Sequence, residues 1–182
     1  MIHSAASYIE KAYEPATRKR IYDRISPRVR ELFAFVNKFE WYPVDDAAEI
    51  FRAIAAHHRE SDGKIAAALE GVGRQIAETA STTSLKLLFR LMTPALFAKK
   101  ASDLWERNSR CGELAVPSFE AANRKMSMKL TDVEGFDFIG LVASGFVLYA
   151  LEAVGCKNPR ASFVFDEGSP APSALAYELT WE

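Results

Sequence analysis

Cysteine and histidine are both scarce in this chain of 182 residues, which contains 2 cysteines and 3 histidines. Cys111 and Cys156 are too few for a disulfide framework and lie too far apart for the ligand spacing of a metal site. We therefore interpret both as ordinary thiols. No histidine follows His58, so the larger part of the chain has no imidazole.

Excess charge and long apolar runs are missing as well. With 23 basic and 24 acidic side chains the net charge is -1, so the chain as a whole attracts neither nucleic acid nor anionic lipid. The uncharged run from Phe138 to Leu151 is shorter than the ~20 residues of a bilayer crossing. The first residues lack the basic start and apolar core of a secretion signal. These absences predict a cytoplasmic protein with no membrane span and no nucleic-acid partner.

Apolar residues make up 49% of the chain, enough to fill a core. We expect a single α+β domain over residues 26–182, preceded by an N-terminal helical extension over residues 1–25. A basic run joins the two and comprises Arg18, Lys19, Arg20, Arg24, Arg28 and Arg30. This run is either a solvated helix face or a nucleic-acid contact, and the lack of interleaved aromatic residues favours the solvated face.

Apolar residues spaced by three and four predict helices as far as Asn108. Ser26 and Thr93 each precede a proline, which is the order of a helix cap and a first-turn proline. The GVGR segment from Gly71 to Arg74 slightly resembles a phosphate loop. Its glycines lie inside a helical pattern with no strand before them, so we interpret the segment as helix.

Titratable side chains gather at one predicted helix end, where His57 and His58 precede Arg59 and Glu60. His57 and Glu60 are one turn apart, so they could share a cation or act as an acid-base pair. Histidine and arginine also favour helix C-termini because of the helix dipole. We prefer this second interpretation and expect no metal site.

Beyond Asn108 the apolar period changes to two. The pattern predicts a short strand from Gly112 that Pro117 stops, and a second strand over residues 126–131. Two further strands, over residues 161–165 and 175–181, are expected to form a hairpin with a long loop. An N-terminal helical bundle packed with a four-stranded antiparallel sheet is the predicted fold, with a C-terminal half in the order strand, strand, helix, strand, strand.

The helix between the two strand pairs is predicted from Asp137, a capping residue, to Gly155, which suits a left-handed helix end. We expect it to lie across the sheet. Gly140 and Gly145 lower its helix propensity. Close approach of another backbone, such as the sheet, is the simplest reason for glycine at these positions.

Several of these features together resemble known families. They are Trp105, Gly112, Gly145, Leu151, Glu152, Gly155, Tyr177 and Trp181, with Gly73, Arg74 and Pro94 in support. From about Trp41 onward the chain resembles a large paralogous family of myxobacterial proteins. More remotely, the helix SGFVLYALEAVG and its flanking strands are similar to a superfamily of three groups. These are the heme nitric-oxide-binding domains, the 4-vinyl-reductase-type ligand domains and the small subunits of the TRAPP tethering complex.

The remote resemblance implies an α/β domain that binds small apolar ligands or other proteins, often as a dimer. Heme domains of that superfamily use a histidine in the middle of the chain and a Tyr-Ser-Arg propionate clamp, and this sequence has neither. The acylated cysteine of the TRAPP subunits lies early in their chain, where this sequence has none. The resemblance therefore transfers no site, and we expect no cofactor.

The sequence favours a non-enzymatic domain that binds a small apolar ligand or serves in sensing or interaction. Adaptable methionine and aromatic side chains are the candidate ligand-binding residues: Trp105, Met126, Met128, Phe138 and Phe146. The same five residues could instead pack a filled core, and spacing does not distinguish the two. The alternative function is a protein-only scaffold or adaptor that acts through its surface or a homodimer interface. A nucleophile elbow, a metal cluster and convincingly paired carboxylates are all missing from the sequence, so we expect no enzyme.

Overall fold

The computed structural model describes residues 1–35, 37, 40–80, 89, 91–133, 138–165 and 174–182. The chain forms two compact units. The first unit comprises Met1–Ala80 and Gly135–Phe146, and the second comprises Ser81–Glu134 and Val147–Glu182.

Seven helices and four strands lie in the described part of the chain. The helices are α1 (Ile2–Ala12), α2 (Pro15–Tyr22), α3 (Pro27–Phe35), α4 (Val44–Ser61), α5 (Ile65–Ala80), α6 (Pro94–Asn108) and α7 (Ile139–Ala153). The strands are β1 (Glu113–Glu120), β2 (Lys125–Thr131), β3 (Arg160–Phe165) and β4 (Leu175–Thr180). The predicted α+β class, with helices first and strands in the C-terminal half, is confirmed.

The first unit is built from α1 to α5 and the first half of α7. Helix α4 has Asp45 and Asp46 in its first turn and Arg59 in its last, as the helix dipole favours. Helix α1 buries Ile2 and Ile9 and contacts α3, α4 and α5. The first 25 residues therefore pack within this unit, while the division into a 1–25 extension and a 26–182 domain stays a prediction.

Four members of the basic run pair with carboxylates of the first unit. Their partners are Glu10 for Arg18, Asp23 for Lys19, Glu60 for Arg24 and Asp46 for Arg28. Asp46 is fully buried, and both of its oxygens accept from the Arg28 guanidinium. These pairs support the solvated-face interpretation of the run.

Helices α5 and α7 cross within the first unit with their backbones in direct contact. A Cβ atom at Gly73 would overlap the carbonyl oxygen of Val142 and lie 2.9 Å from the amide nitrogen of Phe146. A Cβ atom at Gly145 would overlap the carbonyl oxygen of Glu70. The predicted close approach at Gly145 is confirmed, but its partner is helix α5 and not the sheet. The prediction that α7 lies across the sheet stays a prediction.

The second unit contains the four-stranded antiparallel sheet, in the order β1-β2-β4-β3. Strands β1 and β2 form one antiparallel pair, and β3 and β4 form the predicted hairpin. The two pairs join through β2 and β4, so these strands are the inner ones. Along β2 half-buried and buried residues alternate strictly, which is the pattern of a sheet with one apolar face.

The prediction that Pro117 stops the first strand is wrong. Strand β1 continues to Glu120, and its register against β2 shifts between Ala115 and Ser118. Proline lacks an N–H donor, but an edge strand leaves alternate donors unpaired and a bulge interrupts the ladder. Because β1 is an edge strand and Pro117 lies at the bulge, the strand tolerates it.

Helix α7 begins at Ile139, after Phe138 with a φ of 63°. The predicted cap Asp137 lies outside the described residues. At the other end Gly155 has a φ of 93°, and the amide of Cys156 donates to the carbonyl of Leu151. The predicted left-handed end is therefore confirmed. Across the described residues we find no helix with both the length and the apolarity to span a bilayer.

Replacing Gly145 with alanine tests the backbone crossing. Alanine raises helix propensity by about 1 kcal/mol, but its methyl group meets the α5 backbone, which cannot swing away as a side chain does. We expect the Gly145→Ala chain to lose about 1–3 kcal/mol of unfolding free energy in urea.

Gly71→Ala is the matched control for this substitution. Its Cβ would meet only the ring end of Tyr8, with the hydroxyl at 2.7 Å, and a side-chain end can shift. We expect a smaller loss than for Gly145→Ala. An equal or larger loss in the Gly71→Ala chain would contradict the importance of the crossing.

Candidate functional site

Met126 and Met128 lie on the buried face of the sheet in the second unit. Met126 is fully buried and Met128 is 2% exposed. Across the β2–β4 ladder Met126 faces Leu179 and Met128 faces Tyr177, both of them buried. On β3 the ring of Phe163 lies opposite Tyr177, with centroids 5.5 Å apart. Two flexible thioethers therefore lie beside aromatic rings on one apolar surface.

Trp105, the third candidate, lies near the end of α6 in the second unit. Its ring is half-buried, and Nε1–H donates to the carbonyl oxygens of Cys111 at 3.2 Å and Gly112 at 3.1 Å. Gly112 has a φ of 72°, a conformation that suits glycine. The indole thus holds the turn between α6 and β1 and is fixed in orientation.

Phe138 and Phe146, the other two candidates, belong to the first unit. Both are half-buried. The carbonyl oxygen of Phe138 accepts from the amides of Leu141 and Val142 and so starts α7. The structure thus places three candidates in the second unit and two in the first. A ligand-binding role for the five stays a prediction.

A polar cluster in the first unit was only partly expected. The hydroxyl of Tyr13 lies 2.7 Å from Nε2 of His58, and Nδ1 of His58 lies 2.7 Å from Oδ1 of Asp62. Glu60, which the sequence offers as a possible partner of His57, instead accepts from Arg24 at 2.5 and 3.1 Å. Sequence spacing did not identify Tyr13 because it directly follows α1, far along the chain from α4.

His57 lies beside this cluster, with its ring centroid 5.2 Å from that of His58 and 5.7 Å from that of Tyr13. Burial, followed by the neighbouring His58, lowers the pKa of His57. Within the described ranges, no three His, Cys, Asp or Glu side chains are placed to hold a metal ion. The cluster is a hydrogen-bonded network of aromatic and imidazole rings.

Both cysteines are placed in surroundings that disfavour the thiolate. Burial raises the pKa of the Cys156 thiol to about 11, and it also raises the pKa of Cys111. A thiol with a raised pKa is a weak nucleophile and a poor metal ligand at neutral pH.

The imidazoles and thiols of this chain do not fit a heme held by histidine, which is the cofactor of the heme domains that the sequence remotely resembles. All three imidazoles lie in α1 or α4 of the first unit, and His3 is exposed. Both ring nitrogens of His58 are already hydrogen-bonded. The thiols are poor thiolate ligands, and the Tyr-Ser-Arg clamp is missing from the sequence. The histidine ligand and the propionate clamp of the heme domains therefore have no counterpart in this chain.

Comparison by sequence finds no match among protein-family profiles or curated proteins. Solved structures do share the fold. An Fe(II) unliganded H-NOX protein from K. algicida aligns with a TM-score of 0.70 at 8% identity, over 100% of this chain and 94% of that one. An oxygen-binding H-NOX domain related to soluble guanylate cyclases aligns with a TM-score of 0.61 at 12% identity, over 98% of this chain and 92% of that one.

A third structure, from work on heme distortion in the H-NOX family, aligns with a TM-score of 0.64 at 12% identity, covering 100% of this chain and 93% of that one. H-NOX domains are the heme nitric-oxide-binding group of the remote superfamily. Identities this low show the fold alone, and the resemblance to the myxobacterial family stays a prediction. The chain has an α+β fold similar to that of H-NOX domains.

Proposed function

We propose that this chain is a non-enzymatic sensor domain that binds a small apolar ligand and does not bind heme through histidine. The similarity of its fold to H-NOX domains over nearly the whole chain carries this proposal. One of those domains binds oxygen, so the fold can serve ligand recognition. Function depends on the residues of the site and not on the fold, and here the donor chemistry differs.

The proposed ligand contacts in the second unit are Met126, Met128 and Trp105. A ligand-binding role for Phe138 and Phe146 of the first unit stays a prediction. Thioether and aromatic side chains adapt to ligands of irregular shape, which supports an apolar ligand. The indole of Trp105 is held by two hydrogen bonds, so its ring presents a fixed surface.

The two thiols and the Tyr13 phenol have low reactivity as nucleophiles, which supports a non-enzymatic role. Burial raises the pKa of both thiols and of the Tyr13 phenol. At neutral pH these three groups are protonated, and a protonated thiol or phenol is a weak nucleophile. A binding function needs no such nucleophile.

Native mass spectrometry of the freshly purified chain tests ligand binding. We expect a native mass above that of the chain. The extra mass should be lost on denaturation, because an apolar ligand is held without covalent bonds. Titration with cis-parinaric acid, an apolar fluorescent probe, then compares Trp105→Phe with Trp181→Phe as the matched control. We expect weaker binding only in the Trp105→Phe chain. A native mass equal to the denatured mass, together with no binding of cis-parinaric acid, would contradict the proposal.

Hemin titration tests the exclusion of histidine-bound heme. Absorption spectra are recorded for the unaltered chain and for a chain with His3→Ala, His57→Gln and His58→Gln, with folding checked by circular dichroism. We expect identical spectra, because no imidazole of the unaltered chain ligates the iron. A spectral band of histidine-ligated heme that disappears in the triple variant would contradict this part of the proposal and leave apolar-ligand binding untouched.

A second candidate function is the protein-only adaptor, and the edge of the sheet favours it. Strand β3 is an edge strand, and Val164 on it is 67% exposed. The opposite edge, β1, carries Pro117 and a bulge, which hinder pairing with another strand. Strand β3 has a regular register with β4 and a single charged residue, Arg160.

Light scattering during size-exclusion chromatography tests this second candidate as a homodimer. We expect a concentration-dependent dimer in the unaltered chain and a monomer in the Val164→Lys chain, because lysine on an edge strand disfavours strand pairing. Ala115→Lys on the protected edge β1 is the matched control and should leave the dimer intact. A monomer at every concentration of the unaltered chain would count against self-association.

A further inference from the structure

Three side chains at the C-terminal ends of α1 and α4 form a hydrogen-bonded chain that the proposed function does not use. Tyr13 directly follows α1, and His58 and Asp62 lie one turn apart at the end of α4. Both links, from Tyr13 to His58 and from His58 to Asp62, measure 2.7 Å. The His58 side chain is 13% exposed and that of Asp62 is 42% exposed, so the imidazole is mostly buried and the carboxylate end meets solvent.

With His58 as a neutral imidazole, the hydrogen-bond chain has one chemically consistent direction. The hydrogen bond from His58, followed by that from the amide of Lys64, lowers the pKa of the Asp62 carboxyl. Asp62 is therefore a carboxylate at neutral pH and accepts from Nδ1–H of His58. In the neutral imidazole Nε2 then carries the lone pair, and the Tyr13 hydroxyl donates to it.

A phenol that loses one electron becomes a far stronger acid, so its proton passes to a base at hydrogen-bond distance. We propose that Tyr13 is a redox-active tyrosine, which small one-electron oxidants oxidise while its phenolic proton moves to Nε2 of His58. The oxidant gains one electron, the O–H bond of Tyr13 breaks, and an N–H bond forms at Nε2. The products are a neutral tyrosyl radical and a His58 imidazolium that faces the Asp62 carboxylate.

The surroundings of Tyr13 favour coupled loss of the electron and the proton. Burial raises the pKa of its phenol, so the tyrosinate is not the species that is oxidised at neutral pH. The ring of Tyr8 lies edge-on at a centroid distance of 6.0 Å, and that of His57 lies edge-on at 5.7 Å. These rings shield the half-buried phenol, which slows reactions of the radical with larger molecules.

Tyr22 provides an internal comparison in the same unit. Its hydroxyl donates to Glu10 at 2.5 Å, so this phenol also has a proton acceptor. The hydrogen bond from Tyr22 is the largest cause of a lowered pKa at Glu10, which makes that carboxylate a weaker base. Even the reference values place a carboxylate about two pKa units below an imidazole. Oxidation is therefore expected at Tyr13 in preference to Tyr22.

Electron paramagnetic resonance of the full chain tests the assignment, with hexachloroiridate(IV) as the one-electron oxidant and rapid freezing. We expect a radical signal that narrows when the chain carries ring-deuterated tyrosine. The signal should be lost in the Tyr13→Phe chain and kept in the Tyr22→Phe chain. The proposal would be overturned by a signal that persists in the Tyr13→Phe chain or is lost in the Tyr22→Phe chain. A signal whose width is unchanged by ring deuteration would overturn it as well.

His58→Gln separates proton acceptance from a merely structural role. Glutamine still accepts a hydrogen bond but does not take up the proton, so the radical should form about 100-fold more slowly, at the lower end of what a positioned base contributes. In voltammetry near neutral pH the Tyr13 potential of the unaltered chain should depend less on pH than that of the His58→Gln chain, because the proton passes to His58 and not to solvent. In the His58→Gln chain the potential should fall with rising pH throughout.

The same pH profile in both chains would overturn the role of His58. Circular dichroism checks that each variant is folded. Because Tyr13 is intact in the His58→Gln chain, the pH profile still decides the proposal if Tyr13→Phe does not fold.

Discussion

The contact between α5 and α7 is the constraint on which the first unit depends. Gly73 admits the backbone of α7 at Val142, and Gly145 admits the backbone of α5 at Glu70. Because the fit is reciprocal, a shift of either helix by one residue would bring a Cβ atom against the other backbone. Helix α5 also contacts α1 and α4, so this crossing sets the position of the other helices in the unit.

The second unit depends on a different constraint, the alternation of its strands. Strands β2 and β4 are the inner strands, and both place apolar residues on one face. A regular strand with the β1 sequence would turn Phe119 away from that face. The bulge between Ala115 and Ser118 shifts the register by one residue and returns Phe119 to the apolar face, where it pairs with Met126.

The fold and the donor chemistry of this chain point in different directions. The fold is similar to that of H-NOX domains, yet the imidazoles lie in α1 and α4, and His58 is engaged at both nitrogens. A metal ligand needs a free lone pair at the right place, and a hydrogen-bonded ring that already serves two partners lacks one. We therefore do not extend heme ligation by histidine from those domains to this chain.

Local chemistry in the sequence was sufficient to predict most of the elements. The Thr93 cap with Pro94, the left-handed end at Gly155 and the alternation around Met126 and Met128 depend on neighbouring residues alone, and the structure confirms them. For the same reason the helical interpretation of Gly71 to Arg74 is confirmed. Periodicity is a property of a short segment, so it can be read without the rest of the chain.

Tertiary structure decided which segments meet. The sequence required a close neighbour at Gly145, but only the packing shows that it is Glu70 of α5. Pro117 ends a strand by local rules, yet an edge position and a bulge accommodate it. The partner of His58 is Tyr13, which lies 45 residues away and cannot be found from spacing on one helix. Contacts of this kind join residues that are distant in sequence, and local patterns carry no information about such pairs.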